Sequence, residues 1–173
     1  MEQQPTTTAR VALKWGVITG IASIIFSTII FVTGQVTNNA LSSLGLIILV
    51  VTMVLAMKEF RTMNDGFMTY GQGLGIGALM AGISGFIGAI FNYIYNEFID
   101  TTLRQQIVDK TREKFEEQGM DDTQIDAAIE MTSKFSSPGM QFVFGIIFSI
   151  IIGFVIALII SAIMKKVKPF EME

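Results

Sequence analysis

The sequence predicts an all-α, polytopic membrane protein: four transmembrane helices, with an extracytoplasmic helical hairpin between the third and the fourth. Three observations predict it. Of 173 residues, 51% are hydrophobic and only 16% charged, with a mean hydropathy of +0.56, against about 25% charged residues in soluble domains. Fifteen of the 27 charges fall between Glu97 and Lys134. The remainder contains four apolar runs of about the 20 residues that cross a ~30 Å hydrocarbon core. A soluble domain of this length leaves too much surface exposed to hide so many apolar groups.

The first span covers about Val11 to Thr33, the second Ala40 to Met57, the third Gly73 to Tyr95 and the fourth Met140 to Met164. We treat residues 1–173 as a single membrane domain, with the outer segment at 96–139. No run alternates polar and apolar residues as a barrel strand would. Arg10 and Lys14 precede the first core as in a secretory signal, but that core is long and no A-x-A-like cleavage site follows. An uncleaved helix is expected.

Positive charges orient the set. Arg10 and Lys14, Lys58 and Arg61, and Lys165, Lys166 and Lys168 all fall on one side when four spans are crossed. The positive-inside rule places that side in the cytoplasm. The N- and C-termini are then cytoplasmic and segment 96–139 faces outward. Trp15, Phe67 and Tyr70 should sit at the inner headgroup level, and Tyr93, Tyr95 and Phe98 at the outer one.

The third span is rich in small residues. Seven of sixteen glycines lie between Gly71 and Gly88. On a helix, Gly71, Gly75, Ala78, Gly82, Gly85 and Ala89 form one stripe, with Gly77, Ala81, Ser84 and Gly88 a second beside it. Lipid tails are as apolar as side chains, so helices associate through close van der Waals contact that small residues permit. The stripes mark either packing inside the bundle or an interface with a second copy or another membrane protein. The string Gly73-Leu74-Gly75-Ile76-Gly77-Ala78 also matches a dinucleotide fingerprint. It lacks the preceding strand that this motif requires.

Little here supports chemistry. Cysteine and histidine are absent, which removes thiol nucleophiles, the commonest general base and the usual zinc ligands. The membrane-spanning cores carry no ionisable residue and no internal proline, where transporters commonly carry both charge and broken helices. Their hydroxyls (Ser23, Ser27, Thr28, Thr52, Ser84, Ser149 and Ser161 among them) are expected to bond their own helix or a neighbour. Asn92 is expected to bridge helices. No enzyme activity, cofactor or metal is predicted, and a net charge of −3 gives no footprint for nucleic acid.

In the outer segment, Asp100 can cap a first short helix whose face is Leu103, Ile107, Thr111 and Phe115. Gly119 should close it, and Asp121 with Gln124 resembles a capping box. Ile125, Ala128, Ile129, Thr132 and Phe135 give a second helix its apolar stripe. Asp121, Asp122 and Asp126 lack the glycine and the final glutamate of a calcium loop. The hairpin either folds on itself or lies on the membrane, or it docks another protein.

Two stretches and the last span carry a resemblance. Residues Gly66-Phe67-Met68-Thr69-Tyr70-Gly71-Gln72-Gly73 show an aromatic–Thr–aromatic–Gly–Gln pattern, and Tyr93-Ile94-Tyr95-Asn96-Glu97-Phe98-Ile99-Asp100 leaves the third span. With the Lys165-Lys166 close of the fourth, they are similar to the bacterial family catalogued as domain of unknown function 4199, known chiefly from Bacteroidota. Thr101 stands where that family commonly has proline, which should loosen the turn. The resemblance implies a four-helix inner-membrane protein and no particular activity. The leading expectation is a non-enzymatic structural or protein-interaction subunit. The alternative is a small-solute or lipid-handling protein with a pocket among its helices.

Overall fold

The computed structural model describes residues 7–35, 38–99, 103–135 and 137–168, which are all-α apart from one isolated β-bridge. Four helices are long and apolar enough to cross a membrane: α1 (Thr8–Val32), α2 (Asn39–Met63), α3 (Tyr70–Ile94) and α6 (Pro138–Met164). Between α3 and α6 lie α4 (Leu103–Glu117) and α5 (Asp122–Phe135). We call the end of the bundle carrying Lys58, Arg61, Lys165 and Lys166 the basic end, and the other the hairpin end.

Each long helix begins on a side-chain cap that satisfies its free backbone N–H groups. Thr7 caps α1, Asn38 α2 and Ser137, followed by Pro138, caps α6. For α3, Thr69 accepts from the Gln72 amide at 3.2 Å while the Gln72 side chain accepts from the Thr69 N–H at 2.8 Å. Gly34 at φ +67° ends α1, where Gln35 N–H donates to Ile30 O and Gly34 N–H to Phe31 O. That double bond pattern needs a left-handed residue after the helix, which glycine adopts without strain.

The helix α2 runs six residues beyond the end of the second apolar run, so Lys58 and Arg61 belong to its last turns. There Glu59 ties it to α1, accepting from Lys14 Nζ at 2.8 Å and Trp15 Nε1 at 2.9 Å. Deeper, the buried Thr19 hydroxyl lies 2.9 Å from Thr52 Oγ1. Between α2 and α3, Met68 and Lys166 exchange two backbone hydrogen bonds of 2.8 Å. The ammonium groups of Lys166 and Lys168 stand 5.6 and 5.5 Å from the Phe67 ring centroid. This clasp holds the start of α3 to the end of α6.

The helix α3 is central. On one side α1 runs parallel to it, with Gly16 receiving Ile83 and Gly20 receiving Ile87. A methyl group added at Gly16 would come 2.8 Å from Ile83 Cβ, and one at Gly20 within 2.9 Å of Ile87. On the other side α6 runs antiparallel. The buried core lies in the basic half, where Met53, Met57, Phe60, Met68, Ile76 and Met80 are almost fully enclosed. Unbranched methionine fills such irregular gaps well.

In the hairpin, α4 packs on α5 and makes at most marginal contact with the membrane helices. Gly119 at φ +79° closes α4, and Asp121 and Gln124 form the reciprocal capping box. Ile125 is fully buried, Val108 and Phe115 half-buried, whereas Ile107 is exposed. Arg112 pairs with Asp126, whose hydrogen bond raises the guanidinium pKa above its ordinary value. The cap at Asp100 and the substitution at Thr101 fall outside the described residues.

Candidate functional site

The third helix meets α6 along a single line of small residues. Gly73 faces Ser161, Gly77 faces Ala157, Ala81 faces Gly153 and Gly85 faces Ser149. Both helices step by four, one rising as the other descends, so one register holds all four contacts. A methyl group at Gly73 would lie 2.5 Å from Ser161 Oγ, and one at Gly77 would overlap the Ala157 methyl. The Ser149 hydroxyl, which donates to Ile146 O of its own helix at 2.8 Å, also lies 3.2 Å from Ala81 O across the seam.

This seam cuts across both stripes of the third helix. Gly77 and Ala81 come from one stripe, Gly85 from the other, and Gly73 from neither. A methyl group at Gly82 would come 3.5 Å from Ile150 Cγ1, an ordinary contact distance. Ala78 and Ala89 are half-buried. Methyl groups at Gly71 and Gly75 would meet no described atom within 4 Å. Gly88 and Ser84 face elsewhere, into a cavity. The complement on α6 was legible as the four-residue spacing of Ser149, Gly153, Ala157 and Ser161, and on α1 as Gly16 and Gly20. Neither was singled out from the sequence.

The cavity occupies the hairpin half of the bundle. It measures about 410 Å³, and α1, α2, α3 and α6 all contribute to its walls. In the basic half, Met53, Met57 and Phe60 of α2 fill the space beside α3. One register further along, every helix contributes small residues to the lining: Ser23 and Ser27, Gly45, Gly88 and Ala89, and Gly145. Methyl groups at Gly88 and Gly145 would meet no described atom within 4 Å. Small residues facing small residues leave space.

Aromatic contacts hold the helices around that space. Phe31 of α1 lies 4.4 Å from Tyr95 and 6.2 Å from Phe91 between ring centroids, and Phe86 of α3 meets Phe142 of α6 edge-on at 6.0 Å. Such pairs contribute about 0.5–1.5 kcal/mol each beyond area burial. Tyr95 is buried in this cluster. Its ring finds more contact between Phe31 and Phe91 than at the surface.

The lining is more polar than a lipid-facing surface would be. Thr19 forms part of it with Leu49 and Ser149, and Asn92, Asn96, Glu97 and Gln141 join it from α3, the turn that follows, and α6. That turn, Tyr95–Ile99, is a π-helix, a widened geometry that frequently occurs at functional sites. It was not foreseen. The Thr19, Thr28, Thr52, Ser84 and Ser149 hydroxyls donate to carbonyls of their own helix, as expected. Asn92 differs from expectation: its amide donates to Gly88 O of its own helix at 3.0 Å and bridges no neighbour among the described residues. One turn on, Asn96 likewise donates to Asn92 O at 2.8 Å.

A match to the family described as "Protein of unknown function (DUF4199)" spans residues 14–166. The chain belongs to the DUF4199 family. No curated protein and no solved structure matches it. In this DUF4199 chain the stretches that carry the resemblance occupy the two ends of α3. Gly66 to Gly73 form the clasp, the α3 cap and the start of the seam, and Tyr93 to Ile99 form the rim of the cavity.

Proposed function

We propose that this DUF4199 protein is a non-enzymatic, multi-pass protein of the bacterial inner membrane that binds a small amphipathic molecule in its hairpin-end cavity. The lysines and arginines gathered at the basic end support cytoplasmic termini and a periplasmic hairpin. One observation carries the binding reading: a cavity of about 410 Å³ among apolar helices, with Thr19, Ser23, Ser27, Asn92, Asn96 and Gln141 in its lining. This volume lies within the roughly 300–1,000 Å³ of ligand pockets, which also place a few polar groups among apolar walls. Ile24, Leu49, Phe91 and Phe142 supply those walls. Glu97 is the one carboxylate among the described residues of the lining, and one carboxylate without a partner base is poor equipment for acid–base chemistry.

A second reading, the structural or interaction subunit, is favoured by Gly71 and Gly75. They leave part of α3 open to close approach by a second copy or another membrane protein. One experiment separates the two. Native mass spectrometry of protein released from membranes in mild detergent should find a bound small molecule on the wild type. Gly88→Phe, which fills the cavity, should lose it, and Gly75→Phe, outside the cavity, should keep it. Equal ligand content in all three would favour the interaction reading.

A further inference from the structure

We propose that the molecule held in the cavity carries a primary ammonium group, bound at the rim by Glu97 and by the side-chain oxygens of Asn92 and Asn96. This inference rests on the cavity being a binding site and specifies what it binds. The rim gathers several acceptors around one carboxylate. The Asn92 and Asn96 side chains each turn an N–H into a backbone carbonyl of their own helix, at 3.0 and 2.8 Å. Each bond uses one of the amide's two N–H groups, so each oxygen and the second N–H are left without a partner in the described chain. Glu97 adds a carboxylate with no hydrogen bond or ion pair among the described residues, and no lysine or arginine is among the described residues of the lining. Ser23 and Ser27 make no hydrogen bond to the described chain either, and a hydroxyl can accept as well as donate.

An anionic group would meet Glu97 with no lysine or arginine among the described residues of the lining to offset it. A protonated primary amine supplies what is missing: one positive charge and three N–H donors. Hydrogen bonds with both an ionised donor and an ionised acceptor are the strong ones. A quaternary ammonium carries the charge but has no N–H to give, so it should be discriminated against. The same chemistry is available from an aminophospholipid headgroup or from a free amine. Ile24, Leu49, Phe91 and Phe142 would hold the chains of the former.

The test uses the full chain, delipidated in detergent and offered phosphatidylethanolamine, phosphatidylcholine or phosphatidylglycerol, with retained lipid counted by native mass spectrometry. Phosphatidylethanolamine should be retained over the other two by about tenfold, the scale of one charge-assisted hydrogen bond. Glu97→Gln should erase that preference, and Glu97→Lys should turn it toward phosphatidylglycerol. Displacement of the bound lipid by free ethanolamine at equal concentration would assign the site to a soluble amine, and failure to displace it would assign it to the lipid. Equal retention of all three lipids by the wild type, with loss in Gly88→Phe, would overturn the ammonium inference and leave the cavity as a binding site. No retention of any lipid or of ethanolamine would overturn both.

Discussion

Gly77→Leu should prevent the bundle from assembling. A methyl group at Gly77 already overlaps the Ala157 methyl and comes 3.2 Å from Met53 Sδ. A leucine there can be seated only by moving α6 away from α3 or by displacing the methionine core. Overpacking a well-filled site costs about 1–3 kcal/mol. Here one displacement breaks every contact in the common register, from Gly73–Ser161 to Gly85–Ser149, so the cost should fall at or above the top of that range. Gly75→Leu is the control, because a Cβ there meets no described atom within 4 Å. Replacing a helical glycine should even favour the helix by several tenths of a kcal/mol. Size-exclusion profiles and thermal melts in detergent should show Gly77→Leu aggregated or sharply destabilised and Gly75→Leu like the wild type. If both behave alike, the seam does not hold the bundle.

Gly20→Leu should detach α1 and with it one wall of the cavity. Gly20 receives Ile87, with all three nearest atoms of that side chain within 3.0 Å of an added methyl. The β-branched isoleucine is stiff at its first torsion and has little room to turn aside. The helix α1 also supplies Thr19, Ser23 and Ser27 to the lining, so loss of stability and loss of bound ligand should occur together. A melt lowered by several degrees with ligand content unchanged would place the wall elsewhere. The Glu59 contacts with Lys14 and Trp15 should still hold the basic end of α1 to α2, which makes this variant milder than Gly77→Leu.

Much of the fold was readable from residue order because the membrane imposes it. A chain in oil must satisfy its backbone within each spanning segment, so long uncharged runs become helices wherever they occur. The hairpin was readable for a different reason: Gly119 and the Asp121–Gln124 box are local signals that act within four residues. The pairing of small residues was not readable. Gly73, Gly77, Ala81 and Gly85 acquire their meaning from Ser161, Ala157, Gly153 and Ser149, some 64 to 88 residues away in the chain. A stripe on one helix does not say which face meets which neighbour.

The cavity was the least legible feature. It arises where helices carry small residues that fail to fill one another's space, as at Gly88 and Gly145. Serines on separate helices give no sign of this when read singly. Thr28 and Thr52 satisfy their hydroxyls within their own helices. Ser23 and Ser27, of similar chemistry, have only the cavity to face.

Thiol accessibility tests most directly whether a bundle closed at its basic end opens through a cavity to the outside of the cell. The chain contains no cysteine, so single substitutions report without background. Ser27→Cys and Ser23→Cys line the cavity, whereas Ser161→Cys replaces a fully buried serine in the seam near the basic end. Applied to intact spheroplasts, a small membrane-impermeant thiol reagent should modify the first two and leave the third untouched, even after the membrane is made leaky. Modification of Ser161→Cys as fast as Ser27→Cys, or of Ser27→Cys only from the cytoplasmic side, would contradict the account.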